Sequence, residues 1–319
     1  MIVVVSRAAD IHADAVLGHL VRRGQQTALV DLSMLPNRAS LTMEYPCCTN
    51  CDSASPRIVL RGQGGDIDMR RATAVWWRRP QNFDVSELEG DARSFAYNEW
   101  YEAVAGMWAM LGGAFWVNEP QRDLVASRKA FQLQVALEEG LSIPETLITS
   151  DPVAAGEFVA RRAGAPCIYK SFSATEQAWR ETRILADAEL AVLDQVRWSP
   201  VIFQEYVPAE VDLRVTVVGD EVYAGAVHSQ EMEYRHDYRM HLDQVRIEAT
   251  ELPDDVTDKL LSFMRRLGLS YGAIDMRRTP EGDHVFLEVN PAGQWLFVEQ
   301  HTGQPIAARI ADLLIRAQP

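Results

Sequence analysis

The sequence predicts an α/β chain in three parts: a first lobe with a parallel sheet, a central lobe, and a last lobe dominated by antiparallel hairpins. Three observations carry this. The first third alternates short apolar strands with an amphipathic helix, the pattern of parallel strands joined by helical crossovers. The last third holds two pairs of apolar strands, each joined by a short turn. No low-complexity linker or internal repeat separates the parts, and 319 residues at 47% hydrophobic content are enough for lobes with their own cores. The expected boundaries are 1–117, 118–200 and 201–319.

Val3 to Ser6 reads as a buried strand, about Asp10 to Arg23 as a helix that Gly24 ends, and Thr27 to Asp31 as the next strand. Residues 36–70, rich in Pro, Ser, Asn, Gly and Cys, read as turns and short hairpin strands. Ala74 to Arg79 forms a strand that Pro80 stops. Trp100, Val104, Met107, Trp108 and Leu111 then fall at helical spacing, closed by Gly112 and Gly113. The aromatic stripe Trp100, Tyr101 and Trp108 is read as core packing. Ser127 is positioned to cap a helix from Lys129 to Glu139, and a strand ends near Thr149. Asp151 followed by Pro152 opens another helix, an N-cap residue with proline at the first helical position. Cys167 to Lys170 is a strand with a lysine at its end. A short strand near Ile184, a helix to about Arg197 and a strand from Val201 to Val207 follow. Val211 to Val218 and Glu221 to Val227 are strands around the hairpin signal Gly219-Asp220. A helix spans about Asp254 to Gly268, and the strands Tyr271 to Arg277 and His284 to Asn290 are linked by Thr279 to Asp283.

A formal net charge of -14 argues against a nucleic-acid partner, which would be held by many Lys and Arg side chains. The N-terminal Met1-Ile2-Val3-Val4-Val5 lacks both a preceding basic region and a following small-residue cleavage site, so it reads as a strand and not a signal peptide. No apolar run is long enough for a bilayer. A cytoplasmic protein without a membrane partner is expected. Cys47, Cys48 and Cys51 form a cluster with zinc-like spacing, but no fourth ligand lies nearby in sequence, so reduced thiols or a loop of another role is the preferred reading.

The clearest chemistry lies near the C-terminus. Residues two apart on a strand share a face, so Glu288 and Asn290 point the same way, and Asp275 reaches them from the strand paired through the Thr279 to Asp283 turn. Hard oxygen donors of this kind suit Mg²⁺ shared with nucleotide phosphates. Val285, Phe286, Leu287 and Val289 make the strand apolar on both faces, so a carboxylate there needs a cation more than it resembles a solvent-facing residue. Lys129, Lys170 and Lys259 are the only lysines. Lys129 opens a helix, and Lys170 at a strand end suits either a phosphate-binding point charge or a snorkelling surface lysine. Pro208 breaks the strand around Glu205, Tyr206 and Val207, exposing main-chain groups that an adenine edge could pair with. Glu210 or Asp212 could accept from ribose hydroxyls. Arg214, on the same strand face as Asp212, could reach a transferred phosphate bidentately or form a solvated ion pair.

The ordered set Lys129, Lys170, Gln204-Glu205-Tyr206-Val207, Asp212-Leu213-Arg214, Asp275 and Glu288-Val289-Asn290-Pro291 resembles the ATP-grasp superfamily over nearly the whole chain. Trp76-Trp77-Arg78-Arg79-Pro80, Pro144 to Thr149, Asn290 to Trp295 and Glu299 to Ile306 narrow the resemblance to the graspetide family, the microviridin-type ligases that macrocyclise ribosomal peptides. The resemblance implies an ATP-grasp fold in which the central lobe is a lid, and an ATP-dependent ligase with two Mg²⁺ ions. It implies Lys129 and Lys170 on the nucleotide phosphates, and Glu205, Tyr206 and Val207 at the adenine hinge. Glu210, with Asp212 nearby, would meet the ribose; Asp275, Glu288 and Asn290 would hold the metal. Arg214 would steady the acyl phosphate and its tetrahedral oxyanion. The implied partner is a precursor peptide with a leader and an acidic, Ser/Thr-rich core, whose carboxylates would become esters or amides.

An acidic enzyme that accepts an acidic peptide must place cations at its entrance. Arg78 and Arg79 are candidates, although strand alternation sends them to opposite faces and a structural ion pair suits either equally. Arg235 and Arg239 in the basic stretch Tyr234 to Arg239 are further candidates. One departure stands out: Ser171 to Gln177, where the superfamily carries a glycine-rich loop, contains no glycine. Two other readings therefore stay open, a ligase of amino acids or small carboxylates similar to the glutamate-adding enzymes, and a nucleotide-binding regulator without turnover. Monomer and homodimer are both compatible with the sequence.

Overall fold

The computed structural model describes residues 1–46, 56–62, 64–162, 164–172, 183–231 and 245–316. Cys47, Cys48, Cys51, Arg235, Arg239 and the segment Ser173 to Gln177 lie outside them. The chain divides into two units, Met1–Pro120 with Pro305–Pro319, and Gln121–Gln304. Among the described residues no helix is long and apolar enough to cross a membrane.

In chain order the first unit runs β1 (Ile2–Ser6), α1 (Ile11–Arg22), β2 (Thr27–Val30), β3 (Ala39–Glu44), β4 (Arg57–Gly62), β5 (Gly65–Asp68), β6 (Ala74–Arg79), α2 (Gly90–Ala109) and β7 (Phe115–Val117). β2, β1, β6 and β7 form a wholly parallel sheet in that order. β1 is central and buried along its length, which is why its sequence is continuously apolar instead of alternating. β3, β4 and β5 make a separate antiparallel sheet from the turn-rich segment. Val104, Met107 and Trp108 of α2 pack with Val3, Val5 and Val75. Trp108 meets Trp77 and Trp116 edge-on at 5.7 and 5.8 Å between ring centroids. The aromatic stripe is thus core packing at Trp100 and Trp108, whereas Tyr101 is half exposed. The last helix of the chain, Ile306–Arg316, belongs to this first unit: it buries Ile306, Ile310 and Leu314 and lies against α1, with Arg23 paired to Asp312 at 2.8 Å.

The second unit runs α3 (Pro120–Ala126), α4 (Lys129–Glu138), β8 (Thr146–Thr149), α5 (Pro152–Arg161), β9 (Cys167–Lys170), β10 (Arg183–Ile184), α6 (Asp187–Leu190), β11 (Val201–Glu205), β12 (Val211–Val218), β13 (Glu221–Val227), β14 (Ile247–Thr250), α7 (Asp254–Leu267), β15 (Tyr271–Arg278), β16 (His284–Asn290) and α8 (Leu296–Thr302). Two antiparallel sheets result, in the orders β10-β9-β11-β8 and β14-β13-β12-β15-β16. The five-stranded sheet has a sharp division of faces. Leu213, Val215, Ile274, Met276, Phe286 and Val289 point to one side, where Leu260, Phe263 and Met264 of α7 close the core. The alternate residues Asp212, Arg214, Asp275, Arg277, Glu288 and Asn290 take the other.

Several local expectations are corrected. Ser127 does not cap α4: its hydroxyl bonds back to the Asp123 carbonyl at 2.9 Å and closes α3. Arg128 takes the cap position without a side-chain bond. The helix expected up to Arg197 is the short α6 followed by a 3₁₀ turn, Leu193–Trp198. β11 stops at Glu205 rather than Val207: the Tyr206 N–H still reaches the Pro166 carbonyl in register, but Pro166 has no N–H to return a bond.

Candidate active site

The polar face of the five-stranded sheet gathers the charged residues by register. Asp275 sits directly opposite Arg214 on β12 and opposite Glu288 on β16; Asn290 pairs with Ala273 two residues earlier on the same face. Arg214, almost fully buried, donates from Nη1 to Asp275 Oδ1 at 2.7 Å. Its Nε and Nη2 both donate to the Gln294 carbonyl, at 3.1 and 2.7 Å. The guanidinium therefore clamps the Asn290 to Gln294 turn onto the sheet. Asn290 braces the same turn, its Oδ1 accepting the Ala292 N–H at 3.0 Å.

Two lysines arrive from other elements. Lys129, the first residue of α4, places Nζ 3.0 Å from Glu288 Oε2. Lys170, at the end of β9, is partly buried, and desolvation pushes its ammonium below the usual lysine range; Glu288 opposes the shift, Lys129 adds to it and Asp275 opposes it. Lys129, Lys170, Arg214, Asp275 and Glu288 are thus one electrostatic cluster of three cations and two anions. Among the described residues no three His, Cys, Asp or Glu side chains gather to hold an ion. Two carboxylates and an amide oxygen suit Mg²⁺ nevertheless, because that ion takes one or two carboxylates and completes its shell with water and phosphate oxygens. The donors of Asp275, Glu288 and Asn290 fit such an ion.

Gln132 supports this cluster and was not apparent from the sequence. It is buried on α4, one turn after Lys129, and its Nε2 donates to the carbonyls of Val289 at 2.9 Å and Ala126 at 2.7 Å. The Val289 N–H donates back to Gln132 Oε1 at 3.0 Å. The amide thus covers the outer edge of β16 at the residue between Glu288 and Asn290. Its spacing of three from Lys129, which puts both on one helix face, is the signal that could have drawn attention to it.

At the link between the two sheets the Glu205 N–H donates to the Glu145 carbonyl, and Tyr206 donates to Pro166. Among the described residues the Val207 N–H has no acceptor. The Glu205 carboxylate lies 3.5 Å from Arg162, which also pairs with Glu145. Glu210 is half exposed and accepts from Arg278 Nε at 2.8 Å. Asp212 is buried, with Oδ1 accepting from Arg277 Nε at 2.9 Å and Oδ2 from the Ser229 hydroxyl, so both oxygens are engaged within the protein.

Arg78 and Arg79 belong to the first unit. Arg78 is wholly buried, with Nε 3.5 Å from Asp10, and so is a core cation rather than an exposed one. Ser6 donates to the same carboxylate at 2.8 Å. Arg79 is partly exposed.

Residues 126–314 match the RimK-like ATP-grasp domain, and residues 1–123 match the MvdD pre-ATP-grasp domain. The chain belongs to the RimK-like ATP-grasp family. Its fold is that of macrocyclase MdnC from Microcystis aeruginosa MRC, a structure with precursor peptide MdnA bound: TM-score 0.86, 25% identity, 99% of each chain covered. A RiPP-associated ATP-grasp ligase of Chryseobacterium gregarium, solved with ADP and a leader and core peptide, matches with TM-score 0.87 and 25% identity over 100% of this chain and 97% of that one. By sequence the chain is 30% identical to a probable alpha-L-glutamate ligase of Klebsiella pneumoniae (strain 342) over 207 residues, covering 62% of this chain and 66% of that relative, just under two thirds of its length. It is 29% identical over 250 residues to the ribosomal protein bS6–L-glutamate ligase of Salmonella paratyphi B, covering 75% and 79%.

Proposed function

We propose that this ATP-grasp ligase phosphorylates side-chain carboxylates of a ribosomally made precursor peptide and joins each acyl group to a Ser or Thr hydroxyl or a Lys amine of that peptide. The observation that carries the reading is the extent of the likeness. Macrocyclases match essentially end to end in structure, and residues 1–123 match the MvdD pre-ATP-grasp domain. A structure of ligase PsnB with minimal precursor, Mg and ADP, 26% identical over 100% of this chain, supports the same substrate class and the use of nucleotide and Mg²⁺.

In this reading the γ-phosphoryl group moves to a carboxylate oxygen, leaving ADP and an acyl phosphate. The peptide's hydroxyl or amine attacks the acyl carbon, the oxyanion collapses, and phosphate departs while the nucleophile loses its proton; the peptide loses one water per ring. Positioning and charge neutralisation dominate such a transfer. Lys129 and Lys170 bind the phosphates. The Glu205 carbonyl and the Val207 N–H face adenine beside Tyr206, and Glu210 meets the ribose. Asp275, Glu288 and Asn290 hold Mg²⁺, two ions in the full complement, which neutralises phosphate charge. Arg214, already aimed by Asp275 and Gln294, steadies the oxyanion. The precursor has a leader and an acidic, Ser/Thr-rich core, with Arg79, Arg235 and Arg239 as candidate contacts; Arg78, being buried, acts through the first unit's core. We place the enzyme in the cytoplasm and leave monomer or homodimer to a sedimentation measurement.

The test is mass spectrometry of purified enzyme with ATP, Mg²⁺ and acidic peptides encoded beside it. Loss of one water per ring is expected, and Glu288→Ala abolishes it. A product heavier by an amino acid would favour the glutamate-ligase reading that the sequence relatives suggest. No mass change with any such peptide would favour a nucleotide-binding regulator.

A further inference from the structure

Arg277 is a buried cation that the proposed chemistry leaves without a role. It stands directly across from Asp212 in the β12–β15 register, on the polar face of the sheet. Its Nε donates to Asp212 Oδ1 at 2.9 Å, and Nη1 donates to the Val207 carbonyl at 2.6 Å. Its guanidinium carbon lies 5.3 Å from the centroid of the Tyr206 ring. The Ser229 hydroxyl donates to the remaining Asp212 oxygen, which fixes the carboxylate in turn. Ser229, Asp212 and Arg277 thus form a chain that ends on two consecutive residues of the link between the sheets.

We infer that Arg277, oriented by Asp212, is a positioning residue that sets the Val207 N–H in the direction required for a purine edge. The inference rests on the functional reading above, in which that N–H meets adenine. The physical argument concerns degrees of freedom. Glu205 is held by β11 and by the Glu145 carbonyl, and Tyr206 by the Pro166 carbonyl. Val207 precedes Pro208, which confines it to extended conformations but leaves a broad range within them. The Val207 N–H lies in the peptide plane between the Tyr206 N–H, held by Pro166, and the Val207 carbonyl, held by Arg277, so pinning both sides narrows its range, and the guanidinium under Tyr206 holds the neighbouring side chain. A donor fixed in this way loses little entropy on meeting its acceptor, so fixing it favours affinity. The buried Asp212 carboxylate makes Arg277 acceptable in this place, since an unpaired guanidinium there would be costly. Asp212 therefore serves the nucleotide through Arg277 and not by touching the ribose.

The experiment compares wild type with Arg277→Met, Arg277→Lys and Asp212→Asn. ADP-Mg affinity is read by calorimetry, KM for ATP and kcat by peptide-dependent ADP release, and folding by thermal unfolding. Loss of a charged hydrogen bond predicts that Arg277→Met and Asp212→Asn weaken ADP binding and raise KM for ATP by about tenfold, with kcat changed less than about threefold. Arg277→Lys, which keeps the charge and one donor, recovers part of the affinity. It also carries the test if the methionine variant fails to fold. Folded variants that bind ADP as tightly as wild type overturn the inference and leave the ligase reading standing, as does a fall in kcat at unchanged affinity. If the wild type itself binds no ADP, the ligase reading falls and the inference with it.

Discussion

Gly293 is required by a close approach rather than by a turn conformation. A Cβ at that position would lie 2.4 Å from the Ala273 Cβ and 2.8 Å from Arg214 Nη2. Gly293→Ala must therefore push the Asn290 to Gln294 turn off the sheet, displacing the carbonyl that holds Arg214. We expect a stability loss of about 1 to 3 kcal/mol, with a fall in turnover larger than the loss of ADP affinity; urea denaturation and single-turnover kinetics check the two parts. Asp10 offers a pH-dependent counterpart in the first unit. Burial pushes its carboxyl up, but the Arg78 guanidinium, the Ser6 hydroxyl and the His12 amide together hold it below the usual carboxylate range. A carboxylate lowered in the folded state stabilises the fold above its unfolded pKa of about 3.9, and that contribution disappears as pH falls through the lower folded value. Asp10→Asn should thus cost about 3 to 5 kcal/mol at neutral pH, because Arg78 loses a buried counter-charge. The gap from wild type narrows below about pH 4, as denaturant midpoints measured across pH will reveal.

Among elements, the contact of α4 with β16 links the two kinds of charge in the site. Lys129 meets Glu288, and Gln132 holds the main chain one residue further on. Replacing Gln132 by Leu leaves the Val289 N–H and carbonyl buried without these partners, which costs about 1 to 3 kcal/mol. Because Lys129 rides on the same helix, the variant should also raise KM for ATP; thermal unfolding and steady-state kinetics separate the two effects. Helix ends show what local sequence can and cannot announce. Asp151 caps α5, accepting the Val153 N–H at 2.8 Å ahead of Pro152, as a short-range rule predicts. Ser127 obeys an equally valid short-range rule in reverse, bonding back to α3, because a serine hydroxyl can serve either the preceding or the following helix.

For the whole molecule, the last helix is the informative element. Its buried face, Ile306, Ile310 and Leu314, is covered within the first unit beside α1, although nearly the whole chain lies between these two helices. A chain ending at Gln304 should therefore lose first-unit stability while its second unit keeps its two antiparallel sheets. Loss of amide-exchange protection in α1 and β1, with protection retained in β12 and β15, is the expected result.

The boundary between sequence and tertiary structure follows the range of the interactions. The sequence by itself determined most strands, though not β7 or β14, the alternation that separates Leu213 and Ile274 from Arg214 and Asp275, and the Gly219-Asp220 hairpin, because period and turn chemistry are local. The places of the lysines, carboxylates and Arg214 on their elements were legible too, but each was ambiguous alone and only their order, through the family resemblance, singled them out. Tertiary structure alone decided which charges meet. It paired Lys129 with Glu288, buried Arg78 against Asp10, set Gln132 on the edge of β16 and turned Asp212 toward Arg277. It also returned the final helix to the first unit. A buried polar group must find a partner wherever the packing brings one, and local propensity does not encode which distant residue that will be.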